Sequence, residues 1–399
     1  MTIARDILRK TAVTSTTTLV IQLTTFAVLA LAPLILPERD FAALVVIVAA
    51  TMLSNAFFDL GLNLTATKFF GESKDAEWFI SANRIRLLSL PLACILSLLT
   101  AWLLAESDIA IGILCGAFLN LWNGIRSTDQ ARQHYLSFSR ASMIFAGLRI
   151  SFGSFALLVL RDPLAIAIAL YVVPVLAIRA SISWPLLATG LRRSGRRSFR
   201  RMLEYALPVY LNALVFVGLP YIPQFIVAER FGDLAAGQYG LLISFTAPIS
   251  LLVYSRRAVL LPKIVGREEK IETFMWSQRG VLVITGIAIL FSLGGACIGL
   301  LLEQIYGQRF PGIGISFLIF FTGFSITSAV GFYSLSVHTL GVPYIAVWIS
   351  LAKIALLAVL LIFNGHSLNH VIASTSGAMI SGELLLAALL FHARKNTRP

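Results

Sequence analysis

Apolar runs of about 20 residues recur from one end of this chain to the other, the length a helix needs to cross about 30 Å of hydrocarbon. Hydrophobic residues make up 58% of the 399 and charged residues 13%. A soluble domain of this size has too little interior to hide that much apolar side chain. The runs therefore predict an all-α polytopic membrane protein, in which lipid takes the place of a single globular core.

Twelve such spans are read, at roughly 17–37, 41–60, 85–105, 108–124, 141–160, 163–188, 205–229, 236–256, 279–302, 312–334, 342–363 and 367–391. Pro33 stands where a signal peptidase would cut after Ala30-Leu31-Ala32, so residues 1–37 are expected to form an uncleaved first helix. The gaps alternate between very short ones and longer basic ones (61–84, 125–140, 189–204, 257–278). With the N-terminus in the cytoplasm, 25 of the 32 Lys and Arg fall on the cytoplasmic side, and only Arg39, Arg161, Arg230 and Arg309 fall outside. Basic excess on one side sets orientation, so the net charge of +13 is expected to serve topology and not nucleic acid. The most basic gap holds Arg192, Arg193, Arg196, Arg197, Arg200 and Arg201. It reads as a linker held inside by its charge, with anionic lipid headgroups as its natural neighbours. Six spans precede it and six follow, which predicts a lobe over 1–190, a linker over 191–204 and a second lobe over 205–399, as in transporters built from parallel repeats.

Three cations sit well inside the spans: Arg149, Arg179 and Lys353. An ionisable group at that depth normally faces a partner or a cavity. Arg149 and Arg179 belong to the last hairpin of the first half, and Lys353 and Glu383 to the last hairpin of the second. Counted from the cytoplasmic ends, the four fall within about 5 Å in depth at 1.5 Å per residue. Arg149 shares its helix face with Ser142, Gly153 and Ala156, small residues that suit a packed or cavity-lining side. Arg179 either joins it or snorkels to the surface along its stem, and Lys353 and Glu383 either neutralise each other or act separately. The excess of positive charge suits phosphate, pyrophosphate or acidic sugars, for which Arg offers bidentate contacts.

Asp59 closes the second span beside Gly61 and Asn63, either as part of a polar helix end or as a gating group with a basic partner. Pro220 and Pro223 in the seventh span are either tolerated kinks or bending points for alternating access. The five histidines lack the spacing of a metal site, and Cys94, Cys115 and Cys297 read as small hydrophobes. With no nucleotide-binding loop and no assembled acid–base or nucleophile set, neither cofactor nor enzymatic activity is expected.

Several segments resemble those of one family. Asp59, Gly61, Asn63, Thr65 and Lys68 resemble the segment that ends the second helix of polysaccharide flippases. Tyr205 and Pro208 open the second half in a similar way; Phe231-Gly232 with Gly237 and Tyr239, and Tyr306-Gly307 with Phe310, resemble their loops before spans eight and ten. The family is the Wzx-type lipid-linked oligosaccharide flippases of the MOP (multidrug/oligosaccharidyl-lipid/polysaccharide) exporter superfamily. The resemblance implies two six-helix lobes. It also implies movement of undecaprenyl-pyrophosphate-linked repeat units, O-antigen or another surface polysaccharide, across the bacterial inner membrane, with both termini cytoplasmic. Coupling to protons or Na+ and association with polysaccharide assembly proteins follow from it as expectations. Arg149, Arg179 and Lys353 are then the substrate-binding candidates, and Asp59, Glu383, Pro220 and Pro223 the coupling or gating candidates. An ion-coupled drug exporter of the same superfamily and a membrane enzyme acting on lipid-linked sugars are the alternatives; the cationic interior opposes the first and the short outer gaps the second.

Overall fold

Proline and glycine punctuate the apolar runs, and the helices end where these residues or acidic caps dictate. The computed structural model describes residues 2–73, 75, 77–131, 134–178, 196–264, 277–330 and 343–397, and no strand occurs among them. Helix α1 spans Thr2–Ile35 and stops before Pro37, which precedes α2, Glu38–Asp59. Glu38 and Asp40 lie in the first turn of α2, where negative charge meets the positive end of the helix dipole. Two left-handed residues, Leu60 (φ 48°) and Gly61 (φ 70°), end α2 and start α3, Leu62–Ser73. A side chain at Gly61 would strike the backbone of Ala206 and Tyr210, so this turn needs glycine for both its φ and its close neighbour.

The first unit continues with α4 (Glu77–Leu104), α5 (Ser107–Ala131) and α6 (Tyr135–Phe155). A π-turn over Ala156–Leu160 closes α6 and is ended by Arg161 at φ 53°. Asp162 then accepts a hydrogen bond from the Ala165 amide, and Pro163 fills the first helical position, a strong helix start. From there run α7 (Pro163–Tyr171) and α8 (Val173–Ile178). The long helical stretch α9, Arg196–Ile264, is broken at Gly232 (φ 80°, ψ −173°). It is followed by α10 (Gln278–Tyr306), α11 (Ile313–Val330), α12 (Pro343–Asn364) and α13 (Leu368–Thr397).

Ten of the described helices are long and apolar enough to cross a membrane. One of these, 204–246, holds two spans, separated at Gly232, and Pro163–Ile178 is a shorter apolar helical stretch. Together they account for the twelve spans read from the sequence. All four basic gaps hold helical residues: 61–84 contains α3 and the start of α4, α5 runs on to Ala131 within 125–140, and α9 begins at Arg196 within 189–204 and ends at Ile264 within 257–278.

The chain forms two compact units, Met1–Ala228 and Glu229–Pro399. The start of α9 packs within the first: Met202 and Tyr205 join Leu62, Ala66, Phe69, Trp78, Phe79 and Ala82 in one apolar cluster. Phe69 stacks on Trp78 at 4.5 Å, and Tyr205 meets Phe69 edge-on at 5.7 Å. Elsewhere in this unit small residues bring α2 and α5 together, with Gly112 against Ala50 and Gly116 against Ser54. In the second unit Gly299 of α10 faces Gly314 of α11 in the same manner. Close backbone approach of this kind drives helix association where lipid removes any hydrophobic gain from burial. Leu290, Leu293, Ile362 and Phe363 point outward, as acyl chains require.

Candidate functional site

The fifth span shows a buried stripe at Phe138, Ala141, Ser142, Phe145, Ala146, Arg149, Gly153 and Ala156, the 3–4 spacing of a helix face turned to protein. Arg149 lies in the middle of it, only 3% exposed. Its Nε donates to the Leu170 carbonyl at 2.8 Å and its Nη1 to Thr25 Oγ1 at 2.8 Å. The carbonyl is available for a local reason. In a continuous helix the amide of residue 174 would bond to Leu170, but Pro174 has no N–H. The guanidinium also lies over the rings of Phe145, at 4.5 Å, and Tyr171, at 5.1 Å, where the ring quadrupoles favour a cation. Nη2 has no partner. No carboxylate pairs with Arg149 among the described residues.

Helix α1 serves this region as a rail of hydroxyls. Thr17 meets Ser139 at 3.4 Å, Thr18 accepts from Arg126 Nη2 at 2.9 Å, and Thr25 accepts from Arg149. Thr18 and Thr25 are seven residues apart, so the two arginines reach α1 about 10 Å apart along its axis. Arg126 also lies over Phe138 at 5.3 Å and leaves its buried Nε without a partner.

Asp59 pairs with Arg86, a residue the sequence reading counted among the cytoplasmic cations. Arg86 is 1% exposed. Its Nη2 donates to Asn63 Oδ1 at 2.8 Å and approaches Asp59 Oδ1 at 3.5 Å, while Nη1 donates to Asn83 Oδ1 at 3.3 Å. Asn63 in turn donates to Asp59 Oδ1 at 2.5 Å. The signal for Arg86 was present: it falls on the stripe Phe79, Ala82, Arg86, Ser89, Ala93 and Ser97, all buried. Arg126 carried no such mark, because its helix outlasts its apolar run.

In the second unit, α12 and α13 bring Lys353 and Glu383 together, Nζ donating to Oε1 at 2.6 Å. They are 7% and 5% exposed. The stem of Lys353 crosses Gly382, where any Cβ would collide with its Cγ, Cδ and Cε. A second polar chain runs from Gln238 Nε2 to Ser316 Oγ at 3.2 Å, and from Ser316 Oγ to Asn369 Oδ1 at 2.7 Å. Arg149 and the Lys353–Glu383 pair thus belong to different compact units. Arg179 lies outside the described residues. Pro220 and Pro223 lie within α9, in the half that precedes Gly232.

Residues 7–266 match the model of the family described as "Polysaccharide biosynthesis protein". The chain belongs to this family. No curated protein matches it. Solved structures share the fold. The Vibrio cholerae MATE transporter VcmN in its bent form is 14% identical with a TM-score of 0.59, covering 98% of this chain and 98% of its own. The MATE multidrug transporter DinF-BH is 15% identical with a TM-score of 0.68, covering 97% and 95%. An outward-facing multidrug resistance MATE transporter of the MOP superfamily is 14% identical with a TM-score of 0.55, covering 98% and 96%. The family member described here is therefore a multi-pass membrane protein that shares its fold with MATE transporters.

Proposed function

We propose that the chain is a flippase that carries undecaprenyl-pyrophosphate-linked oligosaccharide repeat units, of O-antigen or another surface polysaccharide, across the bacterial inner membrane by alternating access. Arg149 carries this reading. It is a buried, permanently charged guanidinium with no carboxylate partner among the described residues and an unused Nη2 donor. Asp59 and Glu383 each have an intramolecular cation, whereas Arg149, like Arg126, has no carboxylate partner among the described residues and is left to attract an anion. The polysaccharide family match supports a sugar-linked cargo, and the pyrophosphate is the part of that cargo an arginine would hold. Arg179, one helix further on in sequence, is proposed to add to the same field. Lys353 is tied to Glu383 and contributes less free charge.

The basic excess of the cytoplasmic gaps supports cytoplasmic termini, and the arginines of 192–201 would keep that side against anionic lipid. The span with Pro220 and Pro223 is proposed to bend between the two access states. Proton or Na+ movement would supply the driving force, and polysaccharide assembly proteins would receive the product.

Arg149→Ala is expected to abolish surface-polysaccharide export while the variant remains in the membrane at wild-type abundance. Export at wild-type level by that variant would sink the assignment. A drug exporter is the second reading, supported by the shared fold with the DinF-BH and VcmN transporters. It predicts drug resistance on overexpression and indifference of the polysaccharide to deletion.

A further inference from the structure

Glu383 is the acidic group in the three helices α11, α12 and α13 that pack around it. Its Oε1 holds Lys353 Nζ, while Oε2 is buried and has no partner. Helix α11 brings no ionisable group, and α12 brings Lys353 and, in its first turn, Tyr344. Helix α13 brings His370 near its start and His392, Arg394 and Lys395 near its end. His370 is about 20 Å from Glu383 along the axis and His392 about 13 Å, at 1.5 Å per residue. The lysine is thus the near cation, and its stem is guided to Glu383 by the bare backbone of Gly382.

A carboxylate at this depth needs a counter-cation or a proton. Here the counter-cation is covalently part of the chain. A free monovalent ion on Glu383 would have to share the carboxylate with an ammonium already 2.6 Å from Oε1, and two cations on one carboxylate repel strongly in a dry interior.

We propose that Glu383 forms a monovalent-cation site of the second unit that Lys353 occupies from within, so that the tethered ammonium excludes Na+. Removing the ammonium turns the closed site into an open one, with both carboxylate oxygens and the space of the lost stem available to Na+. The inference rests on the transporter reading, but its test does not use the cargo.

The purified full-length protein in detergent is heated in sodium chloride and in choline chloride at equal ionic strength. The wild type is expected to show the same midpoint in both. Lys353→Ala is expected to gain a saturable upward shift with Na+, and a similar one with methylammonium, a detached stand-in for the lysine head. Both shifts should vanish in Lys353→Ala/Glu383→Gln. Lys353→Thr provides a second opening, with a hydroxyl in place of the stem. A saturable Na+ response of the wild type that Glu383→Gln removes would overturn the proposal. So would a monodisperse, helical Lys353→Ala or Lys353→Thr that responds to neither ion. Unchanged polysaccharide export on deletion of the gene, with these binding results intact, would count against the flippase reading and leave the site standing.

Discussion

Each unit of this protein buries one acid against one base, and the two pairs are built differently. In the first, Arg86 spreads its contacts over Asp59, Asn63 and Asn83, and its distance to the acid is a loose 3.5 Å. Asp59 remains 18% exposed and has Asn63 as a second donor. In the second, Lys353 and Glu383 share a single short contact at 2.6 Å, and Oε2 has nothing else. A guanidinium stays charged at any pH a cell reaches, and its planar fork fixes several acceptors at once; an ammonium is a point charge that can release its proton. The first pair is therefore a brace between the end of α2 and the body of α4. The second is a switchable contact, in which losing either charge changes everything the other feels.

The contrast is broken most directly by removing one charge from each pair. Glu383→Ala strands an ammonium in a dry interior and should destabilise the protein by about 3–5 kcal/mol, the range for a halved buried pair. Thermal unfolding in detergent measures it, and Lys353→Met/Glu383→Gln should recover most of the loss. Arg86→Ala should cost less, about 1–3 kcal/mol, since Asp59 keeps Asn63 and partial access to water. If the order is reversed, the view of a brace and a switch is wrong. Gly382→Ala sharpens the second half of the comparison. Its methyl displaces the lysine stem and should cost about 1–3 kcal/mol by overpacking, with Gly377→Ala as a mild control. Asn63→Ala removes the hydrogen bond to Asp59 and the acceptor for Arg86, for about 1 kcal/mol. At the small end stands Arg200–Glu204, an i,i+4 pair at 2.9 Å with both side chains mostly in solvent. Glu204→Gln should shift the midpoint by no more than about 0.5 kcal/mol would.

The fold was largely legible because span length and loop charge are long-range averages, insensitive to any one residue. Even the break between spans seven and eight could be placed, since Gly232 and its neighbours carry turn chemistry. The pairing of Lys353 with Glu383 was also within reach, as the two residues lie at matching depth on consecutive helices. Arg86 and Arg126 were not recognised as inward-facing, because hydropathy marks where apolar residues stop and not where the helix stops. Both lie near polar span ends that the structure continues as helix, and there the direction of a side chain is set by packing partners. The π-turn at Ala156–Leu160 left no periodic trace of the kind that hydropathy detects, and α3, although Leu62, Ala66 and Phe69 keep helical spacing, is too short to stand out as a span. The Leu170 carbonyl that anchors Arg149 belongs to a backbone group, which no reading of side chains alone would select.

That carbonyl has a consequence for how the first unit can vary. Pro174 leaves a gap in the ladder of α7 and α8, and Arg149, 25 positions earlier, fills it. The imino acid and the guanidinium behave as lock and key made from distant parts of one chain. Any residue with an N–H at 174 would let the helix satisfy Leu170 by itself and would set the arginine's Nε loose. A change at 149 alone would leave a bare carbonyl at the core of the lobe. Neither position is free to drift without the other, and a polymorphism at 174, remote from any charge in sequence, would be felt first as a misplaced arginine.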